Sequence, residues 1–172
     1  FGGGGSASDS TLQILSKSGD ISLSSSNDIL ISNQTLYLGN RKDSAAVNGI
    51  TPDITNATGD ISVTANAITF QNTYGINAQS SGALIVKPFS NYFSSAFSTS
   101  GWTLGSTLGG LTIGKSATSA DGTSDVAVTL GALDINGPIS VYGSNIAVNQ
   151  NLDTNGGNVL LKASGDISLA AG

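Results

Sequence analysis

Asp134 and Asp153 are carboxyls whose spacing, about 20 residues, could support paired-carboxylate catalysis. Two carboxyls about 5–9.5 Å apart, one of them held protonated, cleave glycosidic bonds. A separation of about 20 residues is one coil of a stacked repeat fold and would place the two aspartates on neighbouring coils. Their local contexts argue otherwise. Asp134 is the middle residue of Leu133-Asp134-Ile135, which turns it to solvent, and Asp153 falls in a turn between apolar segments. Both read as solvated surface acids.

Other chemistries find fewer residues still. The chain has no His, Cys, Met or Glu, so nucleophilic triads and zinc sites lack their parts. Asn151-Leu152-Asp153-Thr154-Asn155-Gly156 matches the first half of a calcium loop, but Lys162 stands where the bidentate Glu belongs. The Gly-Gly-x-Gly-x-Asp calcium roll is absent as well. Phe1-Gly2-Gly3-Gly4-Gly5 has no strand–loop–helix context and is no phosphate cradle. Asn33-Gln34-Thr35 and Asn56-Ala57-Thr58 fit the glycosylation triplet, as chance allows in so Asn-rich a chain. The sequence therefore points to no enzyme, no cofactor and no metal.

The elements that would carry any site are written in the composition. Of 172 residues, 23 are Gly and only 10% are charged, against about 25% in ordinary soluble domains. Abundant Ile, Val and Leu with a net charge of only −5 exclude a disordered chain. Six scattered basic residues cannot form a phosphate-neutralising stripe, which excludes nucleic acid as a partner. All eleven acids are Asp, a turn former, where Glu would favour helix. No run of about 20 apolar residues exists, so membrane insertion through a helix is not expected.

Short apolar-x-apolar triplets dominate: Leu12/Ile14, Ile21/Leu23, Ile29/Ile31, Leu36/Leu38, Ile61/Val63, Ile68/Phe70 and Leu84/Val86, then Leu111/Ile113, Val126/Val128, Leu133/Ile135, Ile139/Val141, Ile146/Val148, Val159/Leu161 and Ile167/Leu169. Alternation with period two means strand, one face apolar and the other small or polar. Gly19-Asp20-Ile21-Ser22 returns as Gly59-Asp60-Ile61-Ser62 and again as Gly165-Asp166-Ile167-Ser168. Both intervals lie close to multiples of about 20 residues, and periods of this kind mark stacked repeats. They predict an all-β chain: a parallel β-helix (solenoid) of about eight coils of ~20 residues, with the three copies stacked on one face.

A Gly/Ser-rich leader over 1–9 precedes a single β-helix over 10–172, with loop excursions at 39–58 and 87–104. The second excursion holds Phe89, Tyr92, Phe93, Phe97 and Trp102, half of the chain's ten aromatic residues. These are the candidates for a lateral contact, because Tyr and Trp concentrate at interface hot spots. The competing reading folds them back over the core. Outward positions mix Ser, Thr, Ala and Tyr without a regular Thr-x-Thr array, which disfavours a flat ice- or crystal-binding face.

With these residues in view, the chain resembles the large filamentous-haemagglutinin-like exoproteins of bacteria. The resemblance is carried by Ser18-Gly19-Asp20-Ile21-Ser22-Leu23, Asn27-Asp28-Ile29-Leu30-Ile31 and Asn155-Gly156-Gly157-Asn158-Val159-Leu160-Leu161-Lys162. Gly110-Leu111-Thr112-Ile113-Gly114-Lys115 and Ile135-Asn136-Gly137-Pro138-Ile139-Ser140-Val141-Tyr142-Gly143 add to it, similar to glycine-rich β-strand repeats of giant surface proteins. It covers most of residues 10–38, 59–86 and 102–172. The resemblance implies a right-handed β-helix, two-partner secretion, and a place in adhesion or extracellular filaments. The Asn-Pro-Asn-Gly-type secretion signature is not in this sequence, so export signals are expected outside the segment.

The expected function is that of a non-enzymatic structural or adhesive β-helical segment of an extracellular bacterial surface or filament protein. The alternatives are a carbohydrate-binding module and, behind it, a polysaccharide-active enzyme. Expected partners are further β-helix of the same protein or identical subunits stacked head-to-tail, with surface glycans or other cells as further candidates. Leu12 and Ile14 at one end, and Ile167 and Leu169 at the other, are the candidate end-to-end contacts, since open strand edges template further pairing.

Overall fold

The structure, a computed structural model, describes residues 11–39, 57–71, 74–115 and 126–170. Within them are eighteen strands and no helix, in three sets. The first holds β1 (Thr11–Leu15), β4 (Thr35–Gly39), β7 (Ile76–Gln79) and β10 (Thr103–Leu104), with β13 (Leu133–Asp134) and β16 (Leu152–Asp153) as a separate pair. The second is a six-stranded sheet of β2 (Ile21–Ser24), β5 (Ile61–Thr64), β8 (Ala83–Lys87), β11 (Gly110–Ile113), β14 (Ile139–Gly143) and β17 (Val159–Ala163). The third comprises the pair β3 (Asp28–Ile31) and β6 (Ala67–Phe70), then a four-stranded sheet of β9 (Phe97–Ser98), β12 (Val128–Leu130), β15 (Ile146–Val148) and β18 (Ile167–Leu169).

Every ladder is parallel, and each joins a strand to the third strand after it. No described strand pairs with its chain neighbour, so the hairpin architectures fall away. Stacked parallel sheets of this kind are compatible with a parallel β-helix. Three strands to a rung give six rungs among the described residues, fewer than the eight expected from length.

Rungs are also less regular than the expected period. Ile21 and Ile61 are direct partners although two periods separate them in sequence, and Ile61 in turn pairs with Leu84. The first two Gly-Asp-Ile-Ser copies are thus adjacent. The third copy is not on their face at all, because Ile167 pairs with Ile146 in the third set. The expectation of three copies on one face is corrected to two.

Inward side chains form continuous columns. In the second set Ile61, Leu84, Leu111 and Ile139 make one, Val63, Val86, Ile113 and Val141 another, and all eight are buried. Leu36, Leu38 and Ile76 face them from the first set, and Val128, Leu130 and Ile146 from the third, in one apolar cluster. Each such side chain contributes about 1.5–3 kcal/mol through burial.

A glycine stands two positions before the leading inward residue of each strand in the second set: Gly19, Gly59, Gly82, Gly109, Gly137 and Gly157. A Cβ on Gly59 would lie 2.3 Å from the Gly19 carbonyl oxygen, and one on Gly82 2.4 Å from that of Gly59. The backbone of successive rungs therefore meets at this corner with no room for a side chain. The aspartates that follow fasten it: Asp20 Oδ1 accepts from Asp60 N at 2.9 Å, and Asp60 Oδ1 from Ala83 N at 2.8 Å. Asn145 Oδ1 accepts from Asp166 N at 2.8 Å in the same way in the third set.

The leader at 1–9 and residues 40–56 of the expected excursion at 39–58 lie outside the described residues. The expected excursion at 87–104 is partly rung, since β9 and β10 fall within it. Among the described residues no helix is long and apolar enough to cross a membrane.

Candidate functional site

The third set breaks between β6 and β9, and the residues at the break explain it. Asn66, at the entry to β6, accepts on Oδ1 from Ser90 N at 2.9 Å and from Ser90 Oγ at 2.7 Å. Its backbone carbonyl accepts from Ser94 N at 2.7 Å. Lys115 Nζ donates to the carbonyls of Phe89, at 3.1 Å, and Ser90. The loop is thereby pinned over the start of β6, and the ladder to β9 does not form.

Beside the loop the aromatic residues divide. Phe93 and Phe97 stack with centroids 4.8 Å apart and planes at 23°, and Trp102 meets Phe97 edge-on at 5.6 Å. All three are buried in the core cluster. Only Phe89 and Tyr92, 50% and 47% exposed, still present surface. Phe93, Phe97 and Trp102 are committed to the core, so for lateral contact with a partner chain or another copy that set of candidates reduces to Phe89 and Tyr92. The reason is local: two-residue strands carry few inward positions, and rings fill the space that longer rungs fill with Ile and Val.

At the break lies a groove of about 320 Å³. Ile68, Phe70, Tyr74 and Trp102 supply its apolar walls, and Thr69, Ser95, Ser98 and Ser100 its hydroxyls. Among the described residues no charged side chain lines it. Sequence reading singled out Trp102 alone of these. One signal was present: among the apolar-x-apolar pairs, Ile68/Phe70 is the one with an aromatic ring in an inward position.

The paired aspartates come together. Asp134 and Asp153 are direct partners in the β13–β16 ladder, both exposed. Asp153 is a strand residue, not the turn residue expected, and its Oδ1 accepts from Asn155 N at 2.9 Å. Asn155, with φ 48°, gives its side-chain amide to Asn136 Oδ1 at 2.9 Å. The half calcium loop is thus bonded within the protein as a corner. Among the described residues no three His, Cys, Asp or Glu gather as a metal site.

The end-to-end candidates are placed at the outermost described rungs. Leu12 is 43% exposed and Ile14 half-buried, above the buried Leu36 and Leu38. Ile167 and Leu169 are 46% and 73% exposed, beside the buried Ile146 and Val148. Comparison of the chain with protein-family models, curated proteins and solved structures found no match.

Proposed function

We propose that this chain is a length of right-handed parallel β-helix serving, without catalysis, as a structural or adhesive segment of an extracellular bacterial surface or filament protein. One observation supports the reading above others: the third-strand register is kept through every ladder, so that inward columns continue from rung to rung. A fold built this way gains length by simple addition, about 4.8 Å per rung, and holds together by nearest-neighbour contacts. The resemblance to filamentous-haemagglutinin-like exoproteins supports the bacterial, extracellular setting.

The outer columns favour stacking. Val159, Ile167 and Leu169 extend columns whose previous members, Ile139, Ile146 and Val148, are buried. Further β-helix, from the same protein or from an identical subunit, would cover them. Repeated head-to-tail contact between subunits would be heterologous and build an open filament. Sedimentation velocity across a concentration series, with electron microscopy of any large species, tests this. Association into filaments supports subunit stacking, and a monomer at every concentration removes it. Polysaccharide degradation that disappears on Asp134→Asn or Asp153→Asn would overturn the non-enzymatic reading. The carbohydrate-binding alternative is favoured by the groove between β6 and β9.

A further inference from the structure

We infer that the groove between β6 and β9 binds an uncharged sugar, one or two pyranose rings in size. At about 320 Å³ it sits at the low end of small-molecule sites, which span roughly 300–1,000 Å³. That suits a short ligand or the end of a longer glycan, not a chain lying along the fold.

The lining matches a pyranose group by group. A pyranose ring has a face of C–H bonds and an edge of hydroxyls. Phe70 and Tyr74, both half-buried, offer ring surface for the first. Thr69, Ser95 and Ser100 offer hydroxyls with no partner in the described structure, and each can both donate and accept. Ser98 Oγ accepts from Ser100 N at 3.1 Å, which leaves its own proton to donate. No described lining residue carries charge, so among these residues a phosphate, a sialic acid or a nucleotide would meet no counter-charge.

Trp102 supplies an independent observation. It is 8% exposed, and its indole N–H has no acceptor in the described structure. Indole nitrogen is a donor only, and a buried donor ordinarily finds a partner. Trp102 is also one of the residues that line the groove, which makes a sugar oxygen seated there a candidate acceptor for this donor. The core aromatic cluster holds the indole in place through Phe97, so the donor is preorganised. The inference stands whether or not further β-helix stacks on this chain.

Trp102 is the protein's sole tryptophan, so its emission reports on the groove directly. The full chain is titrated with methyl pyranosides and disaccharides of the glucose, galactose, mannose and N-acetylglucosamine series, and with their phosphorylated counterparts. A saturable emission change with at least one neutral sugar is expected, and at least tenfold weaker binding of its phosphorylated form. Tyr74→Ala and Ser98→Arg should each weaken binding at least tenfold. Ser98 is exposed, so Ser98→Arg keeps the urea midpoint and decides the matter if Tyr74→Ala fails to fold. No saturable change with any neutral sugar at tens of millimolar, a preference for the phosphorylated form, or binding that survives Ser98→Arg overturns the inference.

Discussion

A methyl group on Gly137 would sit 2.0 Å from the carbonyl oxygen of Gly109, its neighbour one rung away. The glycine column is a steric requirement at that corner. Gly109 itself faces the Ser81 carbonyl oxygen at 2.2 Å, whereas the adjacent Gly110 has nothing nearer than 3.4 Å and lies opposite Ala83. Gly109→Ala should therefore destabilise by about 1–3 kcal/mol or more through overpacking. Gly110→Ala should be neutral or stabilise by up to about 1 kcal/mol. Urea denaturation of the two variants separates them, and equal losses would remove the column from the account.

The aspartate beside the column acts as an acceptor rather than as a charge. Asp60→Asn keeps an oxygen for Ala83 N–H and should cost little, whereas Asp60→Ala leaves that donor to water and should cost about 0.5–1.5 kcal/mol. Thermal melts of both variants in high salt, where charge effects are screened, should keep this order.

Ile61 and Ser62 are neighbours in sequence on opposite faces of β5. Ile61→Asp places an unpaired carboxylate in the middle of a buried column, a cost of several kcal/mol against a total stability of ~5–15 kcal/mol. That variant should not fold. Ser62→Asp should stay within about 1 kcal/mol of the parent. Far-ultraviolet circular dichroism distinguishes them, and a folded Ile61→Asp protein would contradict the inward column.

The divided aromatic segment makes a matching pair of expectations. Phe93→Ala empties a buried, stacked position and should cost about 3–5 kcal/mol. Tyr92→Ala, next to it and half exposed, should change stability by no more than about 0.5 kcal/mol. Guanidinium titrations read both. A large loss at Tyr92 would mean that it belongs to the core after all.

Strands with two large apolar residues around a small one were legible. Ile21/Leu23, Ile61/Val63 and Ile139/Val141 all lie where alternation places them. Four strands escaped notice for physical reasons. In β7 the second inward residue is Ala78, too small to register as apolar alternation. β16 has a single apolar residue, Leu152, and β9 and β10 are short pieces within the aromatic segment. The strand expected at Val126/Val128 is displaced by two, to the buried pair Val128/Leu130. The groove was largely invisible, because its hydroxyls come from Ser and Thr residues indistinguishable by type from the many on the outer faces.

Local features follow from the order of residues alone: which short segments extend and which side of each faces inward. They rest on the two-residue period of the extended backbone. The need for glycine two positions before an inward Ile, Leu or Val arises only from the carbonyl of the neighbouring rung. Which strand stacks on which is settled only when the rungs assemble. Parallel ladders are made of main-chain bonds that carry no side-chain identity, so Gly-Asp-Ile-Ser fits the second set at Ile21 and Ile61 and the third at Ile167 equally well. The shared columns choose the partners, and the sequence distance between paired strands varies, being 40 residues between Ile21 and Ile61 and 23 between Ile61 and Leu84. The break that opens the groove is likewise nonlocal, set by Asn66 holding Ser90 and Ser94 of the next rung.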